Sequence, residues 1–116
     1  MTTIAENSGL VTAINVFTAE PPNQQKLVDL LSRATGAAVR HAPGFVSAAL
    51  HRSVDGTKVT MYAQWRSAAH YQRYQATRSN PGAESYVAEI LAIARFDPGT
   101  YEVVEVFAGA CGAEVD

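Results

Sequence analysis

An α+β fold, with one four-stranded antiparallel sheet covered by helices on one face, is predicted by three observations. Four short stretches are rich in β-branched and apolar residues, as strands are. Longer stretches repeat their apolar residues at three- and four-residue spacing, as amphipathic helices do. Breaks of Pro, Gly, Asn and Asp set these stretches in the order β-α-β-β-α-β. That order is the split βαβ, or ferredoxin-like, arrangement. A chain of 116 residues is one domain of ordinary size, and a hydrophobic content of 47% suffices for a core without staples.

Residues 1–9 are small and polar and are expected to form a flexible tail. The first strand is expected over Leu10 to Thr18 and is broken by Glu20-Pro21-Pro22-Asn23. From Gln24 to His41 the apolar positions Leu27, Leu30, Leu31, Ala34, Ala37, Ala38 and His41 fall on one helical face. Pro43-Gly44 ends that helix, and Phe45 to Arg52 is the second strand. Asp55-Gly56 signals a hairpin into the third strand, Lys58 to Arg66. Ser67 is a candidate N-cap for a helix running to about Arg78. After Asn80-Pro81-Gly82, helical spacing resumes from Ala83 to Phe96 through Tyr86, Val87, Ile90, Leu91 and Ala94. Asp97-Pro98-Gly99 is expected to turn, and Thr100 to Phe107 to form the last strand. Residues 10–107 thus make the domain, with a second flexible tail over 108–116.

Along the third strand Val59, Met61, Ala63 and Trp65 point one way, and Thr60, Tyr62 and Gln64 the other. Neither set is cleanly polar, whereas a sheet wet on one side should alternate. The second face is therefore expected to pack as well, most simply on a second copy in a homodimer. Charged residues are only 17% of the chain, which agrees with some surface being covered.

The net charge of −2 and the nine scattered Lys and Arg argue against a nucleic-acid partner. Cys111 is the single cysteine, so no internal disulfide forms, and the clustered Cys and His of a zinc site are absent. No apolar run approaches the roughly 18–20 residues of a membrane span, and no secretory signal is visible. A cytoplasmic location without membrane partners is expected. The phosphate-loop, dinucleotide, nucleophile-elbow and zinc-protease motifs are all missing, so any chemistry must rest on acid–base and positioning groups.

Alternation puts Ala13, Asn15 and Phe17 on one face of the first strand. If helices cover that face, Asn15 lies in an apolar layer with Met61 and Trp65. An amide buried there without partners costs roughly 1–3 kcal/mol, so it either bonds to backbone or water or projects into a pocket. In a pocket its NH2 group could hold an enolate or a bound oxygen species. Trp65 is either a core aromatic or a pocket wall with an indole donor. Tyr71 and Tyr74 share a helical face and either pack in the core or line the same space. His51 could accept a proton or simply bond at an interface, and His41 suits a helix C-terminus.

The run Pro43-Gly44-Phe45, Leu50-His51-Arg52-Ser53, Asp55-Gly56-Thr57 and Tyr62-Ala63-Gln64-Trp65-Arg66-Ser67 resembles the antibiotic biosynthesis monooxygenase family. Ile14 to Thr18 followed by Asn23-Gln24-Gln25 fits the same pattern. The resemblance implies a ferredoxin-like protomer that dimerises through its sheets into an α/β barrel. It also implies a cofactor-free oxidation of an anthrone-type, phenolic polycyclic of polyketide origin by O2. No metal is implied. A first-strand Asn, a Trp ending the third strand and a Tyr on the next helix are the implied catalytic groups. Asn15, Trp65 and Tyr71 match them. Met61 stands where the family often has Asn, and Val87 where some members have Arg. With Phe17, Tyr74 and His51 these complete the expected substrate-binding set. No His follows His70, where the haem-degrading branch would need its ligand.

Two other functions fit the same residues. One is a non-catalytic module that binds a hydrophobic ligand or assists assembly, which Met61 in place of Asn would suit. The other is a polyketide cyclase or isomerase that uses the same enolate without oxygen.

Overall fold

The computed structural model describes residues 2–6, 8–77 and 81–110. Strand β1 (Val11–Ala19) leads through a 3-10 turn at Pro21–Asn23 into helix α1 (Gln24–Ala37). A second 3-10 turn (Val39–His41) precedes β2 (Phe45–Arg52) and β3 (Lys58–Trp65). Helices α2 (Ala68–Thr77) and α3 (Pro81–Ile93) follow, then β4 (Ala94–Tyr101). All pairings are antiparallel, in the order β2-β3-β1-β4, with β1 and β3 central. This is the ferredoxin-like α+β arrangement that the element order predicts.

Three local signals act as read. Ser67 caps α2: its Oγ accepts the His70 backbone N–H at 3.1 Å and lies 2.7 Å from His70 Nδ1. Asp55 Oδ1 closes the hairpin loop, accepting Thr57 N–H at 3.0 Å and the hydroxyls of Thr57 and Ser53 at 2.7 Å each. Those bonds, the Thr57 hydroxyl first, lower the Asp55 pKa from 3.8 to about 2. Gly56 completes the turn with φ at +85°, the left-handed region that a side chain disfavours.

The last strand departs from the reading. β4 begins at Ala94, directly after α3, and ends at Tyr101, so Thr100–Phe107 is not the strand and Asp97-Pro98-Gly99 is not a turn. Phe96 stacks on Phe17 with ring centroids 4.9 Å apart, which favours an extended chain at Phe96 over another helical turn. Pro98 is tolerated because β4 is an edge strand, where a missing N–H breaks no ladder bond on the solvent side. The first helix also stops earlier than read: α1 ends at Ala37, and both Ala37 and His41 are exposed. The ends assigned to the helix near Arg78 and the segment 111–116 with Cys111 lie outside the described residues.

The N-terminal segment is bonded to the rest of the chain. Gln64 Nε2 donates to the Thr3 carbonyl at 2.6 Å, and the Glu6 carboxylate accepts Val106 N–H at 2.8 Å. Among the described residues no helix is long and apolar enough to cross a membrane.

Two buried clusters lie between the sheet and the helices. One is largely aliphatic: Phe17, Leu27, Leu30, Leu31, Val59 and Ile90. The other consists of Ala13, Ala63, Trp65 and Tyr71.

Candidate active site

The strand register explains the space between those clusters. Across β1, β3 and β2, the face under the helices presents successive rows. The first is Val11–Trp65–Phe45, the second Ala13–Ala63–Ala48, the third Asn15–Met61–Leu50 and the fourth Phe17–Val59–Arg52. The second row is all alanine, flanked by an aromatic row and by one carrying an amide and a thioether. Methyl side chains cannot reach the helices, and a cavity of about 400 Å3 opens above Ala13 and Ala63.

Its floor is Ala13, Asn15, Phe17, Met61 and Ala63, and Trp65 closes one end. Helix α1 and the turn after it supply Ala34, Thr35, Ala38 and Val39. Helix α2 supplies Tyr71 and Tyr74, and α3 supplies Tyr86, Val87 and Ile90. Leu91 also lines the space while 53% exposed, which puts it at the mouth. Among the described residues no charged side chain lines the cavity. Nor do three His, Cys, Asp or Glu gather anywhere among them as metal ligands would.

Asn15, Tyr71 and Trp65 each bring a polar group to this largely apolar space. Asn15 Nδ2 lies 3.4 Å from the Tyr71 hydroxyl, and that hydroxyl is 3.5 Å from Asn15 Oδ1. An O–H···O bond of full strength is near 2.7–2.8 Å, so the pair is only loosely committed to each other. Tyr71 itself is buried. Trp65 is 1% exposed, and its indole Nε1 is buried without an acceptor among the described residues. An orphaned buried N–H of this kind demands an explanation, and an acceptor brought by a bound molecule supplies one. The indole is clasped by three rings: Phe45 edge-on at 5.5 Å, and Tyr71 and Tyr74 each at 5.3 Å. Its orientation is thereby fixed by packing on several sides.

Of the residues singled out from sequence, Asn15, Phe17, Met61, Trp65, Tyr71, Tyr74 and Val87 all line this one cavity. His51 does not. It pairs with Thr60 on the opposite face of the sheet and is exposed there, because one residue along a strand reverses the side-chain direction. The alanines of the floor and the α1 wall were missed as site residues. Their signal was present: Ala13 and Ala63 interrupt two otherwise bulky inward-facing sets.

A family model described as antibiotic biosynthesis monooxygenase matches residues 10–80. The tetracenomycin-F1 monooxygenase of Streptomyces glaucescens is 39% identical over 114 residues, 98% of each chain. Among solved structures, the monooxygenase from the ActVA-Orf6 gene of Streptomyces coelicolor, in complex with nanaomycin D, superposes with a TM-score of 0.71. Its identity is 26%, covering 86% of this chain and 92% of that one. SnoaB of Streptomyces nogalater, a cofactor-independent oxygenase, gives a TM-score of 0.72 at 22% identity, over 88% of this chain and 100% of its own. That second likeness speaks to the fold alone. The family match and the full-length relative together establish that the chain belongs to the antibiotic biosynthesis monooxygenase family.

Proposed function

We propose that the protein is a cofactor-independent monooxygenase that oxidises a phenolic, fused-ring aromatic of polyketide type with O2. The observation that carries this reading is the convergence of Asn15, Tyr71 and Trp65 on one apolar cavity. The names of the full-length relative and of the ActVA-Orf6 structure are consistent with it.

The electrons come from the substrate. An activated CH2 between aromatic rings loses a proton, which the Tyr71 hydroxyl relays toward solvent, and leaves a delocalised enolate. Asn15 Nδ2 donates to the enolate oxygen, and the apolar walls strengthen that bond by excluding water. The enolate passes one electron to O2, and the radical and superoxide combine to a peroxide on the same carbon. The peroxide takes up a proton to become a hydroperoxide; loss of the remaining C–H proton then expels hydroxide as the O–O bond breaks, leaving a ketone, and the hydroxide and that proton combine as water. In sum, CH2 and O2 become C=O and H2O. Trp65 fixes the ring system, with its N–H available to an acceptor on the substrate.

Residues 10–107 form the working domain in this reading. The second sheet face, with Tyr62 and Thr60 half-buried, pairs with a second copy. Sedimentation equilibrium should return twice the chain mass.

Oxygen uptake with the anthrone dithranol, compared with an anaerobic control, tests the activity. The protein should accelerate uptake, and Asn15→Ala and Trp65→Phe should slow it. Uptake no faster with protein than without it would refute the proposal. Product mass excludes a cyclase or isomerase if one oxygen atom derives from labelled O2.

A further inference from the structure

Helix α2 brings Tyr71 and Tyr74 to the cavity but is only ten residues long. Isolated helices shorter than about 12–15 residues are marginal in water, so the place of α2 is set by what its side chains touch. On one side the Tyr71 and Tyr74 rings rest on Trp65. On another, His70 packs against the turn before β2, and His70 does not line the cavity.

His70 is half-buried there. A Cβ added at Gly44 would land on the Cβ, Cγ and Cδ2 atoms of His70, so this side chain lies directly on the Gly44 backbone. Gly44 also has φ at +86°, where a side chain is strained. Glycine is thus required twice at this position, by its own conformation and by the approach of His70. The other edge of the imidazole faces the cap of its own helix, with Nδ1 2.7 Å from Ser67 Oγ. The Gly44 carbonyl accepts the Arg66 N–H at 2.8 Å, which ties the turn to the end of β3. Phe45, the neighbour of Gly44, stands edge-on to Trp65, and Tyr71, the neighbour of His70, lies against the same indole. One imidazole therefore joins the turn, the cap and the helix at the end of the cavity that Trp65 closes.

We propose that His70 is a positioning residue: held between Gly44 and Ser67, it fixes α2 over the sheet and so places the Tyr71 hydroxyl beside Asn15 and Trp65. Its effect on turnover rests on the oxygenase reading and adds to it a residue outside the cavity. The atoms that do this are Cβ, Cγ, Nδ1 and Cδ2 of His70. An asparagine carries the same first atoms, with an oxygen in place of Nδ1 and a nitrogen in place of Cδ2, and lacks the rest of the ring. Replacement by Asn therefore separates a positioning role from any use of the imidazole as an acid or base.

Oxygen uptake with dithranol and the fluorescence of Trp65, the single tryptophan, test this together. His70→Ala should lower turnover about tenfold, chiefly in kcat, since displacing a reacting group by about 1 Å costs up to about 100-fold. His70→Asn should stay within about twofold of the native rate. In a Tyr71→Phe background His70→Ala should cost less than about twofold, because residues that act as a unit are not additive. Without any substrate, acrylamide should quench Trp65 more strongly in His70→Ala than in the native protein, and equally in His70→Asn. Should His70→Ala not fold, Ser67→Ala removes the partner of Nδ1 and carries the same test with a smaller loss. Native turnover and native quenching in the alanine variant, a His70→Asn protein as slow as His70→Ala, or an undiminished loss in the Tyr71→Phe background would each overturn the proposal. A native protein that does not turn over dithranol sinks the oxygenase reading alone, and the quenching comparison then decides the role of His70.

Discussion

The row Phe17–Val59 and the row Ala13–Ala63 lie on one face of the same two strands and under the same layer of helices. At Phe17 and Val59, branched and aromatic side chains pack with Leu27, Leu30, Leu31 and Ile90, and the cavity reaches only the near side of this cluster, at Phe17, Leu31 and Ile90. At Ala13 and Ala63 the strands offer only methyls, and the aromatic rings of Trp65 and Tyr71 stand around the gap as walls. Backbone geometry is shared, so side-chain volume makes the difference. The solid end anchors the helices. The hollow end can then stay open, because aromatic side chains propped against one another do not collapse into it as flexible aliphatic ones would.

Several substitutions would break or sharpen that contrast. The largest effect should come from Leu27→Ala at the solid end, where the side chain is fully buried. A loss of about 2–5 kcal/mol is expected, read from the urea midpoint at unchanged slope. At the hollow end, Tyr71→Phe should leave stability within about 1 kcal/mol, since its bond to Asn15 is long. Turnover of dithranol should nevertheless fall about 100-fold, the low end of what a proton-transferring group contributes. Ala63→Leu should convert hollow into solid. Turnover should drop about tenfold and the urea midpoint should barely move, because the added methylenes enter existing space. The smallest effect should come from Asp55→Asn, in the hairpin loop outside both ends. The folded Asp55 pKa is lowered to about 2, so its stabilisation is present above about pH 4 and lost as pH falls through 2. The variant should be slightly less stable than the native protein at pH 7 and indistinguishable from it near pH 2 in urea titrations.

Much of the site was legible because strand alternation is a local property. Ala13, Asn15 and Phe17 had to share a face, and Met61 and Trp65 had to share another, whatever the strands packed against. Tyr71 and Tyr74 followed from helical spacing in the same way. His51 could not be placed by such means. Its partner across the hairpin, Thr60, faces away from the helices, and only the pairing of β2 with β3 reveals that. The boundary between α3 and β4 was equally beyond local reading. Helical spacing runs on through Phe96, and Pro98-Gly99 reads as a turn, until Phe17 and an edge position make an extended chain the better solution.

The amino-acid sequence alone therefore determined the order of elements, the inward faces of the central strands, the cap at Ser67 and the turn at Asp55-Gly56. Each depends on residues within a few positions of one another. The tertiary structure decided where the last strand lies, which face His51 occupies, and that Ala13 and Ala63 from the two central strands meet in one floor. Those outcomes depend on register and packing between segments far apart in the chain. A methyl group beside one strand becomes part of a cavity only when its neighbours across the sheet are methyls too.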